Sequence, residues 1–263
     1  FPMTAEPHSI PPWLTAVLLA KDDAEESGMG SDWHQEAIFE AHSPLLAHAQ
    51  EREGADAVPW YVSSQVTVIV RLPRRAKPWQ PKPDLFVVVG VPPGHRTSYD
   101  TRREGPMPQF VLEVASESTW RDDVGKKRNL YEVAGVQEYL VFDPTGQFFA
   151  ERIHAWRAGE DGWLPWRSVT RADGQSVWHS EVLGLALRVE GSLLRFDHPV
   201  TGPLLVRREV VEHWHATQQA LEAAEQDLEQ ERAAREAAEQ RARAAVRALS
   251  SLEDELRHRC SDQ

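Results

Sequence analysis

Between Arg207 and Arg259 the chain contains no glycine and no proline. A stretch that long without either residue, and rich in Ala, Glu, Arg and Gln, reads as one continuous helix. Leu221, Ala224, Leu228, Glu231, Arg235, Ala238, Ala242, Ala245, Leu249, Leu252 and Leu256 recur on alternating steps of three and four. That is a heptad seam with a polar break at Glu231 and Arg235, and it predicts a coiled coil. The alternative is a single solvated helix held by charge pairs. A parallel pair would set Glu231 and Arg235 against their own copies. An antiparallel pair centred near residue 238 sets Leu228 near Leu249 and Arg235 near Ala242, and is favoured. The expected partner is a second copy, in a homodimer through this helix.

The helix divides the chain. Residues 1–30 read as a Pro-rich, then acidic, tail that is partly disordered. Residues 31–205 form one domain, and 206–263 the coiled-coil helix. The 263 residues are 41% hydrophobic and include ten tryptophans, enough for one sizeable core beside the helix. The net charge of -12 argues against a generally basic nucleic-acid binder, although a local basic patch can do that work. The one cysteine, Cys260, leaves no intrachain disulfide framework and no cysteine-rich zinc site, so a cytoplasmic setting is expected. No apolar run approaches the roughly 18 residues of a membrane span. Trp13–Ala20 is apolar but short and lacks a basic lead, so it is not read as a signal peptide.

In the domain, Asp32 to Arg52 has a helical pattern with Ile38, Leu45, Leu46 and Ala49 on one stripe, Ser31 or Asp32 as cap, and Pro44 as a point of kinking. Trp60–Leu72 alternates as a half-buried strand. Asp84–Val89 and Phe110–Ala115 are buried strands. A helix from about Arg121 to Ala134 closes at Gly135, and Glu138–Phe142 is a strand ending in an Asp-Pro-Thr-Gly turn. Strand-like pieces continue to Phe196.

One residue breaks this apolar logic. Glu113 is the only charge in its strand, and a buried carboxylate is costly unless something pairs with it. Asp84 leads the preceding strand, and Asp123, Lys127 and Tyr131 share one face of the following helix. If the two strands are neighbours, Asp84 and Glu113 converge. Two carboxylates suit a hard cation such as Mg²⁺, and a nearby lysine would orient or deprotonate an attacking water. Each feature alone has an ordinary structural reading: a turn residue, a buried ion pair, a helix-surface salt bridge. Together, in strand–strand–helix order, they are more specific.

The stretches KPDLFVVV, FVLEVASEST and DVGKKRNLYEVAGVQEYLVFDP resemble the PD-(D/E)XK nuclease superfamily. Within it they resemble the Uma-two family of restriction endonucleases, over roughly residues 32–205. The resemblance implies a restriction-endonuclease-like α/β core, a mixed central sheet flanked by helices. It implies a metal-dependent endonuclease that hydrolyses DNA phosphodiester bonds by activated water, with Mg²⁺ or alternatively Mn²⁺. By position, Asp84 and Glu113 are metal ligands and catalytic residues. The usual lysine position, two after Glu113, is Ala115; the lysine is displaced to the helix at Lys127, with Lys126 as fallback. Asp123 and Tyr131 orient Lys127, and Glu36 or Glu40 supplies an extra first-helix acid. Glu117 stands where the family usually has proline, and no strand pair is evident before the first helix. The rival reading is a non-catalytic nucleic-acid or protein interaction module scaffolded by the coiled coil.

Overall fold

The computed structural model describes residues 32–52, 58–72 and 77–261, with side chains described as far as residue 248. The expected N-terminal tail and the cap at Ser31 lie outside these residues. The chain divides into two compact units, Phe1–Arg207 and Arg208–Gln263.

The first unit is α/β. Helix α1 (Asp32–Glu51) buries Ala37, Ile38, Ala41, Leu45 and Ala49 along one stripe, and it continues through Pro44. A six-stranded mixed sheet runs in the order β1 (Trp60–Ser63), β3 (Leu85–Val89), β5 (Phe110–Val114), β6 (Glu138–Phe142), β7 (Ile153–Gly159), β8 (Gly162–Pro165). Only β5 and β6 pair in parallel; the other neighbours are antiparallel. The parallel pair needs a crossover, and the helix after β5 supplies it. We call that helix α2: Trp120–Asp122, a π-helical turn Asp123–Lys127, then Arg128–Ala134. It ends at Gly135, whose φ of 88° is the left-handed cap the sequence indicates.

A five-stranded sheet, β9 (Val169–Thr170), β10 (Ser176–His179), β11 (Ala186–Glu190), β12 (Leu193–His198) and β13 (Gly202–Pro203), is antiparallel throughout. The alternate residues Phe110, Leu112 and Val114 of β5 pack with α1 and with Leu187 and Phe196 of this second sheet. On the opposite face Val111 and Ala115 pack with Tyr131 of α2 and with Tyr139. The central strands are therefore covered on both sides, which is why they read as continuous apolar runs.

The single strand expected over Trp60–Leu72 is two. Gln65 adopts φ 53°, a left-handed kink after Ser63-Ser64. Beyond it, β2 (Thr67–Ile69) leaves the main sheet and pairs in parallel with β4 (Ser98–Asp100). The second unit is the helix α3, part of the element Arg207–Ser261. Among the described residues no helix is long and apolar enough to cross a membrane.

Candidate active site

The antiparallel register of β3 and β5 pairs Leu85 with Leu112, so one step further Asp84 stands opposite Glu113. Period-two alternation turns both toward the α2 side of the sheet. The backbone N–H of Val114 donates to Asp84 Oδ2 at 2.8 Å. Glu113 is 1% exposed. Its Oε1 accepts the Tyr131 hydroxyl at 2.9 Å, and its Oε2 lies 3.2 Å from Lys127 Nζ. The same ammonium lies 2.7 Å from Asp123 Oδ1. Asp123 is buried, and the Lys127 ammonium and the Thr119 side chain are the donors beside it.

The π-helical turn sets this arrangement. It begins at Asp123 and ends at Lys127, so the widened turn carries both. Such turns cluster at functional sites. The Tyr139 hydroxyl donates to the Asp123 carbonyl at 2.9 Å and fixes the turn to β6. Trp79 packs edge-on against Tyr131, with ring centroids 4.8 Å apart.

The electrostatics follow from burial and crowding. Burial pushes the Glu113 carboxyl up, Lys127 pulls it down, and the charges of Asp84 and Asp123 push it up again, to about 8. Asp123 is raised too, again chiefly by burial. Burial opposes the charge on Lys127, but Glu113 and Asp123 outweigh it and hold the ammonium protonated well above its ordinary range.

The structure thus brings Asp84, Glu113, Asp123, Lys127 and Tyr131 together. Lys126 is exposed on the same turn. Glu36 is exposed and lines a separate hollow with Asp32, Glu40 and Arg207, so the first-helix acids are not placed with the strand carboxylates. Glu40 instead accepts the Arg207 N–H at 3.3 Å. The first-helix residue that does reach the site is His34, with Nε2 3.4 Å from Asp84 Oδ2. Burial lowers its pKa, but the hydrogen bond and charge of Asp84 outweigh that and raise it. The Val114 backbone beside the ring raises it further. The signal in the sequence was a lone histidine in the first turn of α1, weak by itself.

Among the described residues no three His, Cys, Asp or Glu side chains form a ready-made metal cage. Mg²⁺ does not require one, since it keeps several waters and takes one or two carboxylates. With all three carboxylates ionised and Lys127 protonated, the cluster holds two negative charges in excess. That surplus fits one divalent cation.

Several solved structures resemble the chain. One is the crystal structure of a "putative nuclease belonging to DUF820" from Anabaena variabilis ATCC 29413. It is 13% identical, has a TM-score of 0.38, and the match covers 55% of this chain and 73% of that one. No curated protein matches. The profile of the Uma2 family, described as "Putative restriction endonuclease", matches residues 16–190. That span is more than half of the chain and contains every residue of the cluster, and the chain belongs to the Uma2 family.

Proposed function

We propose that the protein is a metal-dependent endonuclease that hydrolyses DNA phosphodiester bonds by an activated water, with Mg²⁺ as cofactor and Mn²⁺ as substitute. One observation carries this reading: Glu113 is buried, short of hydrogen-bond donors, and crowded by two further carboxylates around a single ammonium. A fold does not keep such a cluster for stability, because each uncompensated buried charge is costly.

Asp84 and Glu113 are the residues that would hold the cation. When bound, a divalent cation lowers the pKa of a coordinated water and offsets charge on a phosphoryl oxygen. Val114 N–H and His34 both face Asp84 Oδ2, which leaves Oδ1 for that cation. Lys127 stays protonated beside Glu113 and Asp123, so its role is donation: it orients the attacking water and stabilises the negative charge developing on the phosphate. Asp123 and Tyr131 position Lys127 and Glu113, and Lys126 has no part in this arrangement. A covalent enzyme intermediate is not needed.

Nicking of supercoiled plasmid with Mg²⁺ tests the reading. Nicking is expected in the parent and is lost in Asp84→Ala and in Lys127→Ala. Nicking that persists in both variants, or that is indifferent to chelation, would overturn it.

The second unit supports a homodimer. On the seam Leu221 is 38% exposed and Leu228 50%, and each Leu buried in a seam contributes roughly 1.5–3 kcal/mol. Two copies would bring two sites to one duplex. Deleting residues 207–263 is expected to leave a folded monomer that cuts duplex DNA less well. Light scattering that shows the full chain monomeric at micromolar concentration removes the basis for this. A cytoplasmic location belongs to the same reading, on the strength of Cys260 alone.

A further inference from the structure

The small parallel ribbon of β2 and β4 projects its charges in one direction. Ile69 pairs with Asp100, and Thr101 N–H continues the ladder to the Ile69 carbonyl at 3.2 Å. The next residues in step are Arg71 and Arg102, so both leave the ribbon at the same end, followed by Arg103. A third extended segment lies along the other side of β2. Val70 and Trp79 exchange backbone hydrogen bonds of 2.8 and 2.7 Å, and Val68 N–H reaches the Pro81 carbonyl at 2.8 Å. This segment runs antiparallel to β2, so Lys77 joins the same end as Arg71. Arg71, Lys77, Arg102 and Arg103 are all exposed.

The acids nearby are already engaged. Asp100 accepts the Arg102 backbone N–H at 3.0 Å and lies 3.8 Å from Arg103 Nε, so it offsets one of the four cations, and Glu104 pairs with Arg96. The tip is cationic on a chain whose net charge is -12.

The same segment ties the tip to the site. It runs from Lys77 through Pro78, Trp79, Pro81 and Pro83 directly into Asp84, and Gln65 N–H holds its far end at the Pro83 carbonyl, 2.9 Å. Three prolines keep it extended. Seven residues of strand span roughly 20 Å, the length of about six base pairs of duplex. Trp79, packed on Tyr131, anchors this lever to the helix that carries Lys127.

We propose that the β2–β4 ribbon is an arm that binds backbone phosphates of a DNA duplex through Arg71, Lys77, Arg102 and Arg103, about six base pairs from the bond presented to Asp84 and Glu113. The arm supplies affinity and register without reading sequence, as phosphate contacts do. The proposal rests on the nuclease reading for its substrate but not for its measurement.

Fluorescence anisotropy with a labelled 30-base-pair DNA duplex, over a salt series without divalent cations, tests it. The variant carries Arg71→Gln, Lys77→Gln, Arg102→Gln and Arg103→Gln in the full chain. A control carries Arg232→Gln, Arg241→Gln, Arg243→Gln and Arg247→Gln, all off the helix seam, which changes the net charge equally. The slope of log K against log salt is expected to fall by about 3–4 in the arm variant, close to 0.9 per phosphate contact, and to stay at the parent value in the control. Replacing the three arginines by lysine is expected to restore most of the slope. An unchanged slope in the arm variant, or an equal loss in the control, overturns the proposal. Asp84→Ala keeps the two readings separate: it is expected to lose cleavage and keep the full slope. Cleavage that survives in both Asp84→Ala and Lys127→Ala defeats the nuclease reading and leaves the arm standing.

Discussion

Asp143 and Glu113 lie one strand apart in the same sheet, both almost wholly buried, and their surroundings are opposite. Asp143 follows β6 at a turn. It accepts backbone N–H groups of Thr145, Gly146, Phe148 and Phe149 at 3.0, 2.9, 2.6 and 3.0 Å, and the Thr145 hydroxyl at 2.8 Å. Burial pushes its pKa up, the N–H of Phe148 and its companions outweigh that, and the carboxyl ends below its ordinary value. Glu113 sits in mid-strand, where the ladder consumes the backbone donors. It receives one hydroxyl and half-shares one ammonium, and it ends near 8. Glu138 on β6 falls between them, with Arg157, Ser180 and the Glu181 N–H gathered around it. A carboxylate completed by its own chain is part of the scaffold. One left incomplete has room for something from outside.

Conservative substitutions should split the two acids. Glu113→Gln keeps shape and removes the charge. We expect it to reduce Mg²⁺-dependent plasmid nicking by at least about a hundredfold, the scale of losing one group that stabilises developing charge. Its metal-free melting temperature should be equal to or above that of the parent. A variant that cuts normally would place Glu113 with Asp143 as scaffold.

Asp143→Ala should do the reverse. It leaves a set of buried N–H donors without an acceptor, and a loss of roughly 3 kcal/mol in urea unfolding is expected. Cleavage per folded molecule should be little changed. An unfolding midpoint at the parent value would show that the turn does not depend on its carboxylate.

The difference has a pH signature. Below about 4.5 Glu113 is protonated in folded and unfolded chains alike. Between there and about 8 the unfolded chain releases the proton first, so the folded state holds more protons and its stability falls as pH rises. Thermal melts of metal-free protein should decline across that window, and decline less steeply in Glu113→Gln, where the raised Asp123 still contributes. A flat parent profile would contradict the raised value. Asp143, shifted downward, contributes with the opposite slope, its stability lost only as pH falls through the acid range.

The smallest effect is a counted proton. The Glu113 carboxyl is held well above its ordinary range, so cation uptake must displace the proton share it retains there. Calorimetry in buffers of different ionisation enthalpy should show release of up to about one proton per Mg²⁺ at neutral pH. Release should fade above pH 8, and affinity should rise with pH until then. Buffer-independent heats would sever the link between the starved carboxylate and the cation.

What the sequence made legible was what period and neighbour rules encode. Alternation along β3 and β5 put Asp84 and Glu113 on one face, and spacing put Lys127 beside Asp123. What it hid depended on backbone that no propensity reports. The kink at Gln65 splits one alternating run into strands of two sheets, and the π-helical turn at Asp123–Lys127 reads as ordinary helix. His34 reaches Asp84 only because α1 lies at the leading edge of β3, and Glu36 and Glu40, two and six residues on, turn to another hollow. Glu138 was hidden for a different reason. Its Arg157 partner lies on the neighbouring strand and its Ser180 partner on a loop of the second sheet, both far along the chain.

The π-helical turn makes the site separable from its own chemistry. It winds one residue more into its turn than ordinary helix does, and a Cβ added at Gly125 within it would meet no neighbour. Excising Gly125 lets the backbone rewind to regular α-helix with the flanking turns close to their present faces, and it moves Asp123 from four residues before Lys127 to three. The Asp123–Lys127 contact is then set by α-helical instead of π-helical spacing, and no ionisable group is gained or lost. A single-codon deletion thus perturbs geometry alone, with the full inventory of acids and bases conserved and only the alignment within the turn changed.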